Sequence, residues 1–179
     1  MQSYSKTIKH FSHSHSLDLG YTAPRNSADS PPLCPAAKTE ALGWTYVCRG
    51  CCNFSIHAWC AALPRAITHT PPHFHSCHQL KLLPAPAHPS GFFKCDGCGH
   101  HGDGFSYRCT TAGSDFDLHV VCATKPLKDT HRSHLHELSL TFSPPYNDRA
   151  FSCDLRGAAG SNHWLYRCGS CNFTPIEAA

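Results

Sequence analysis

Between Cys48 and Cys60 the chain places four cysteines and one histidine in thirteen residues, CRGCCNFSIHAWC. Thiols and imidazoles this dense have two structural uses. They close disulfides in oxidising compartments, or they hold a soft divalent metal elsewhere. The full chain of 179 residues carries 13 cysteines and 16 histidines. An odd cysteine count leaves a thiol out of any closed disulfide set. Disulfides have no use for histidine and zinc does, so the pattern reads as a metal framework.

The opening residues, MQSYSKTIKHFSHSHSLDLG, contain no apolar stretch of signal-peptide length. No run is long and apolar enough to predict a membrane span. An intracellular location, cytoplasmic or nuclear, is expected. The formal charge is +3, with Lys and Arg scattered and never in a block. That gives weak electrostatic support for nucleic-acid binding.

The chain repeats itself about every 60 residues. An aromatic-x-Tyr-x-Cys pattern occurs as WTYVC from Trp44, FSYRC from Phe105 and WLYRC from Trp164. His-x-Leu-x-Leu occurs from His15, His78 and His136, and H-x-x-H-x-H leads into the first and third of these from His10 and His131. NFSIHAWCA matches DFDLHVVCA, so Phe54, His57 and Cys60 align with Phe116, His119 and Cys122. NFTPI begins a third copy near the last residue. The expected modules are 10–69, 69–131 and 131–179, the last shortened.

Modules of this size bury little surface and are marginal without staples. The alternating segments HSLDL, WTYV and FSYR predict short strands, and HAWCAAL and HVVCA predict a short helical turn. The Pro-rich THTPPHFHS and LLPAPAHPSG read as extended connections. The expected fold class is therefore tandem, small, zinc-stabilised β-rich modules. Each has short antiparallel sheets, a short helix and little other regular structure. The aromatic ahead of each Tyr-x-Cys is expected to pack in the core or shield a site.

These motifs resemble the divergent C1 domain, a cysteine/histidine-rich C1-type zinc module found as tandem repeats in plants. The resemblance rests on HSHSLDL, YVCRGCCNFSIHAWCAALPRAITH, CDGCG, GFSYRC and DFDLHVVCA and covers nearly the whole chain. It implies two interleaved Zn2+ sites per module. One is an end-to-end site formed by the leading His, the cysteine pair after the Tyr and the last ligand. The other joins the earlier cysteine pair to H-x-x-C.

Carried over residue by residue, the resemblance gives the first module an end-to-end site of His15, Cys48, Cys51 or Cys52, and His69. Spacing from Cys48 favours Cys51, whereas spacing from His57 favours Cys52; the tighter C-x-x-C turn tips the expectation to Cys51. The module's other site has Cys34, His57 and Cys60, with Ala37 in the fourth place. The second module has a complete set in Cys95, Cys98, His119 and Cys122. Its end-to-end set keeps His78, Cys109 and His131, with Ser114 near the lost cysteine and Cys77 as a possible substitute. The third keeps His136, Cys168 and Cys171, while Cys153 lacks its partner because Arg156 stands there, and Ile176 takes a histidine position. Little or no zinc is expected on this module. His10, His13 and His134 are candidates for supporting contacts. His73, His75, His88, His100, His101 and His163 read as solvated loop residues.

The resemblance implies a recognition or scaffold protein in plant signalling, stress or defence, with an unidentified protein partner. It implies no catalytic residue. No apolar pair of loops suits diacylglycerol or a membrane, and no basic helix suits nucleic acid. A lipid- or nucleic-acid-binding zinc module is the alternative reading, and a thiol redox enzyme ranks below it, because CRGC, CDGC and CGSC lack the strand–helix context that activates a thiol.

Overall fold

The computed structural model describes residues 4–24, 31–50, 53–68, 79–143, 151–155, 157, 159–160, 163–171 and 173–175. The His-x-Leu-x-Leu and Tyr-x-Cys segments pair as antiparallel strands, because their alternation gives each strand one apolar face. In the first repeat, β1 (Thr7–Lys9), β2 (Ser16–Thr22), β3 (Gly43–Cys48) and β4 (Ser55–His57) lie side by side in that order. Leu19 faces Tyr46, and Tyr46 faces Ile56. A single helical turn, α1 (Ala58–Ala61), follows β4.

The second repeat rebuilds this layer from β5 (Ala66–Ile67), β6 (Leu80–Leu83), β9 (Ser106–Cys109) and β10 (Asp117–His119), followed by α2 (Val120–Ala123). Its facing trio is Leu82, Tyr107 and Leu118. Between β6 and β9 sits a hairpin of β7 (Phe93–Lys94) and β8 (His101–Gly102). The third repeat pairs β11 (Lys128–Asp129), β12 (Leu138–Thr141) and β13 (Leu165–Arg167). Pro175 stands where Ile56 and Leu118 pair in the other two, and proline brings no N–H to a ladder.

The first strand of each sheet carries no apolar pattern that predicts it. Its place is fixed by the repeated tyrosine. The Tyr46 hydroxyl donates to the carbonyl of Ser5, Tyr107 to that of Pro64 and Tyr166 to that of Pro126, each at 2.7 Å. Leu19, Leu82 and Leu140 donate their backbone N–H to the next carbonyls, those of Lys6, Arg65 and Leu127. Pro64 and Pro126 also explain the one-turn helices: the residue before a proline is pushed out of the helical region. The second and third sheets thus start at Ala66 and Lys128, ahead of residues 69 and 131.

The first two repeats share one core, which includes Leu17, Ile56, Leu82, Tyr107 and Leu118, all fully buried. Leu138, Leu140 and Tyr166 form a smaller core in the third, and Trp164 packs against both. Asp117, fully buried, is held by Arg108 Nη1 at 2.5 Å, His88 Nε2 at 2.9 Å and Ser106 Oγ at 3.3 Å. His88 is therefore a half-buried partner of a buried carboxylate, where a solvated loop residue was expected.

Replacing Tyr107 with Phe removes the donor from the Pro64 carbonyl and leaves the ring in place. We expect a stability loss of about 1–2 kcal/mol, measured by denaturant unfolding of the metal-replete chain.

Candidate metal centres

Among the described residues, four groups of thiols and imidazoles converge, each with its donor atoms within 4.8 Å of one another. Two groups have four members: Cys95, Cys98, His119 and Cys122, and His134, His136, Cys168 and Cys171. Two have three: Cys34, His57 and Cys60, and His13, His15 and Cys48.

In the second repeat the β7–β8 hairpin presents Cys95 and Cys98, β10 ends in His119, and α2 turns Cys122 onto the same side. The cysteine turn closes through Gly99 N–H to the Cys95 carbonyl at 2.7 Å, with Gly99 at φ 76°. The same closure joins Lys38 to Cys34 and Gly157 to Cys153, each at 2.8 Å. These turns confirm that Ala37 occupies the place of Cys98. Lys38 takes φ 57° there, the only left-handed non-glycine residue among those described.

The donor spacing fits zinc. A tetrahedral ion with ordinary Zn–S and Zn–N bonds sets neighbouring donors about 3.5–3.8 Å apart. Cys98 Sγ lies 3.4 Å from His119 Nδ1, and Cys60 Sγ lies 3.8 Å from His57 Nδ1. His57 Nε2 donates to the Glu40 carbonyl at 3.0 Å, which leaves Nδ1 free to face the thiols. His119 N–H points at Cys95 Sγ at 3.4 Å.

Hydrogen bonding within each thiol set favours one thiolate. The bond from Cys122 holds the Cys95 thiol well below its ordinary range, and the same contact, with burial, pushes Cys122 up. Cys60 likewise lowers Cys34 to about 5 and is itself raised. A second buried thiolate needs a neighbouring positive charge, which a bound cation supplies.

In the third repeat a fourth donor joins the three that were expected, His136, Cys168 and Cys171. Cys171 Sγ lies 3.3 Å from Cys168 Sγ, 3.7 Å from His136 Nδ1 and 3.3 Å from His134 Nε2. His134 is the fourth donor that ligand counting missed. Its ring stacks on Phe173 at 4.2 Å and 5°. The first repeat copies this: His13 stacks on Phe54 at 4.3 Å, with its Nε2 3.3 Å from His15 Nδ1.

His131, expected as a last ligand, joins none of the converging groups. Its Nδ1 accepts the Ser133 N–H at 3.2 Å and so caps a turn. His10 does the same for Ser12 at 3.4 Å. Among the described residues, the third repeat joins both histidines of H-x-H to C-x-x-C, and the first joins both to Cys48. Cys109, expected as a ligand, is disulfide-bonded and its sulfur is already committed. Cys51, Cys52, His69, Cys77, His78, Arg156 and Ile176 lie outside the described residues. Of the other cysteines, nine are free thiols.

The signal for His13 and His134 was in the sequence. H-x-H occurs in the first and third repeats, which also keep the second cysteine after the Tyr. The second repeat has Ser76 and Ser114 at these two places, so it lost both together.

The described residues on either side of the doublet are fixed. Cys48 N–H bonds the Phe54 carbonyl at 3.0 Å, Cys109 N–H that of Phe116 at 3.0 Å, and Cys168 N–H that of Phe173 at 2.8 Å. Gly50 N–H meets Cys48 Sγ at 3.4 Å, as Thr111 N–H meets Cys109 Sγ at the same distance. The residues flanking the doublet are thus held as in the other repeats.

A family model described as C1 domain matches residues 73–123, the span containing the complete set of the second repeat. This part of the chain is similar to the C1 domain. No curated protein and no solved structure matches the chain.

Two outcomes are expected. Cys51→Ser should lower the metal retained by the first repeat several-fold more than Cys52→Ser, read by native mass spectrometry. Under graded chelation, the group of His134 and exposed Cys171 should lose metal before the group containing buried Cys95 and Cys122. Cysteine-reactivity mapping at each step reads that order.

Proposed function

We propose that the chain is a zinc-stabilised tandem recognition scaffold that binds a protein partner, in the signalling or stress-response setting that the resemblance implies. The observation that carries this reading is the complete set Cys95, Cys98, His119 and Cys122. Four side chains fill a tetrahedral shell and leave no open position for water or substrate, as in structural rather than catalytic zinc sites. No carboxylate belongs to any of the four groups.

Protein recognition is favoured by the apolar residues that the helical turns leave outside. Trp59 and Val121 occupy the same repeat position and are both exposed. Two equivalent apolar contacts at a repeat spacing suit an extended protein surface. Scattered basic residues give nucleic acid little to hold. Among the described residues no helix is long and apolar enough to cross a membrane.

The test has two parts. Native mass spectrometry should find three tightly held zinc ions: two in the four-member groups and one on His13, His15 and Cys48 with a cysteine of the doublet. Zinc removal should abolish the folded near-ultraviolet spectrum. The zinc-loaded chain should not bind vesicles containing diacylglycerol or reduce insulin disulfides, and cross-linked protein partners should be lost on Trp59→Asp. Vesicle binding or thiol–disulfide turnover would replace this reading with one of its rivals.

A further inference from the structure

The zinc ions expected above leave one group of donors over, that of Cys34, His57 and Cys60. Cys34 opens the turn closed by the Leu33–Glu40 bridge, His57 ends β4, and Cys60 lies in α1. Glu40, at the foot of that turn, takes the His57 Nε2 bond on its carbonyl and so leaves Nδ1 for the thiols. The fourth place belongs to Ala37, which packs against the core and has no electron pair to offer a metal.

Two further features set this group apart from the complete set of the second repeat. It is enclosed: Cys34 and Cys60 are 0% exposed and His57 8%, and Trp59 stacks on the His57 ring at 5.7 Å and 18°. Cys98 and His119, by contrast, are half-buried. The group is also opened out. Cys60 Sγ lies 3.8 Å from His57 Nδ1, against 3.4 Å from Cys98 Sγ to His119 Nδ1. With ordinary metal–sulfur and metal–nitrogen bonds, widening the angle at the ion from tetrahedral to trigonal moves two such donors from about 3.5 to about 3.8 Å apart.

Zinc fits this arrangement poorly. Where a protein supplies three ligands, zinc keeps water in the fourth position. A water needs polar partners, and the place is taken by the methyl group of Ala37. A cuprous ion is soft, is selected by thiolate and imidazole, and is satisfied by three ligands. We propose that Cys34, His57 and Cys60 form a three-coordinate site for Cu(I), separate from the zinc ions of the other groups. Binding displaces thiol protons to solvent and transfers no electron. Burial beneath Trp59 keeps water and dioxygen from the ion.

The experiment adds one equivalent of Cu(I), supplied anaerobically in competition with bathocuproine disulfonate, to the full zinc-loaded chain. Native mass spectrometry counts both metals, and X-ray absorption reads the copper shell. One copper should be retained per chain with all zinc kept, bound to two sulfurs and one nitrogen. Cys34→Ser and Cys60→Ser should each lower copper retention by about tenfold or more, since even an outer partner of a metal ligand is worth that much. If either variant loses its near-ultraviolet signal, Ala37→Cys decides. By supplying the fourth donor it should raise the zinc count by one over the parent, and copper should then enter only by displacing zinc. A parent chain that takes no copper, gives up a zinc for it, or already fills this group with zinc overturns the proposal. So does a copper shell of four ligands, or a zinc count that Ala37→Cys leaves unchanged. The zinc count of the other groups, read in the same spectra, tests the scaffold separately.

Discussion

Convergence of H-x-H with C-x-x-C, and of a cysteine turn with H-x-x-C, is the constraint on which the rest of the fold depends. The strands run from two to seven residues, and each helix is a single turn. Isolated pieces of this length are not stable in water. Side-chain donors gather at the strand ends, where a short sheet frays first. A bound ion joins segments that are distant in sequence and adds its binding free energy to folding, on the order of 10 kcal/mol for a structural zinc site. With that energy a repeat can hold its shape around a core as small as that of Leu138, Leu140 and Tyr166.

Where ligands have been lost, the repeats differ in what takes their place. In the second and third repeats the residue after the first cysteine of the turn is aspartate. Asp96 Oδ2 accepts the Asp117 N–H at 2.9 Å, and Asp154 Oδ2 accepts that of Thr174 at 2.6 Å. Each aspartate also donates its own N–H to the partner carbonyl. The first repeat has Pro35 there, with no N–H and no carboxylate to give. Its buried Ser55 hydroxyl accordingly finds no partner among the described residues. The Pro35 carbonyl accepts the Phe105 N–H of the next repeat, whereas the second repeat keeps its aspartate and offers the Gly97 carbonyl to Trp164. The substitution thus weakens the link inside the first repeat alone.

The features legible in the sequence were those with a short period or a fixed spacing. Leucine alternation gave the central strands, and Cys-x-x-Cys with His-x-x-Cys gave the complete set of the second repeat. The strand of Ala66 and Ile67 was not legible, because two residues carry no periodicity and they are placed by Tyr107, whose hydroxyl bonds Pro64 across 43 residues. His134 was missed for a different reason. A ligand pattern carried over whole assigns the fourth donor to the repeat's far end, whereas here it lies two residues from the leading histidine. The lost pair Ser76 and Ser114 marks that partnership, but only when the three repeats are compared with one another. The first and third sites also have Phe54 and Phe173 as platforms for their histidines, and an aromatic in a β-rich repeat reads as core from sequence alone.

The repeats are coupled in series, and the coupling has a direction. Cys122 sits on α2, whose exit is held by Lys125 N–H to the Cys122 carbonyl at 3.3 Å. The next residue, Pro126, supplies the carbonyl that anchors Tyr166 of the third repeat. The donor group of the second repeat therefore positions the first strand of the repeat after it. The first repeat acts on the second by the same route, through Cys60, Leu63 and the Pro64 carbonyl bonded to Tyr107. Contacts in the opposite direction run from Phe105 and Trp164 back to the preceding cysteine turns. The donor groups containing Cys34 and Cys95 are thus fixed on one side by their own strands and on the other by an aromatic from the next repeat. A nearest-neighbour array with such contacts gains stability from each added repeat, because the interface energy is additional to that of the repeat itself.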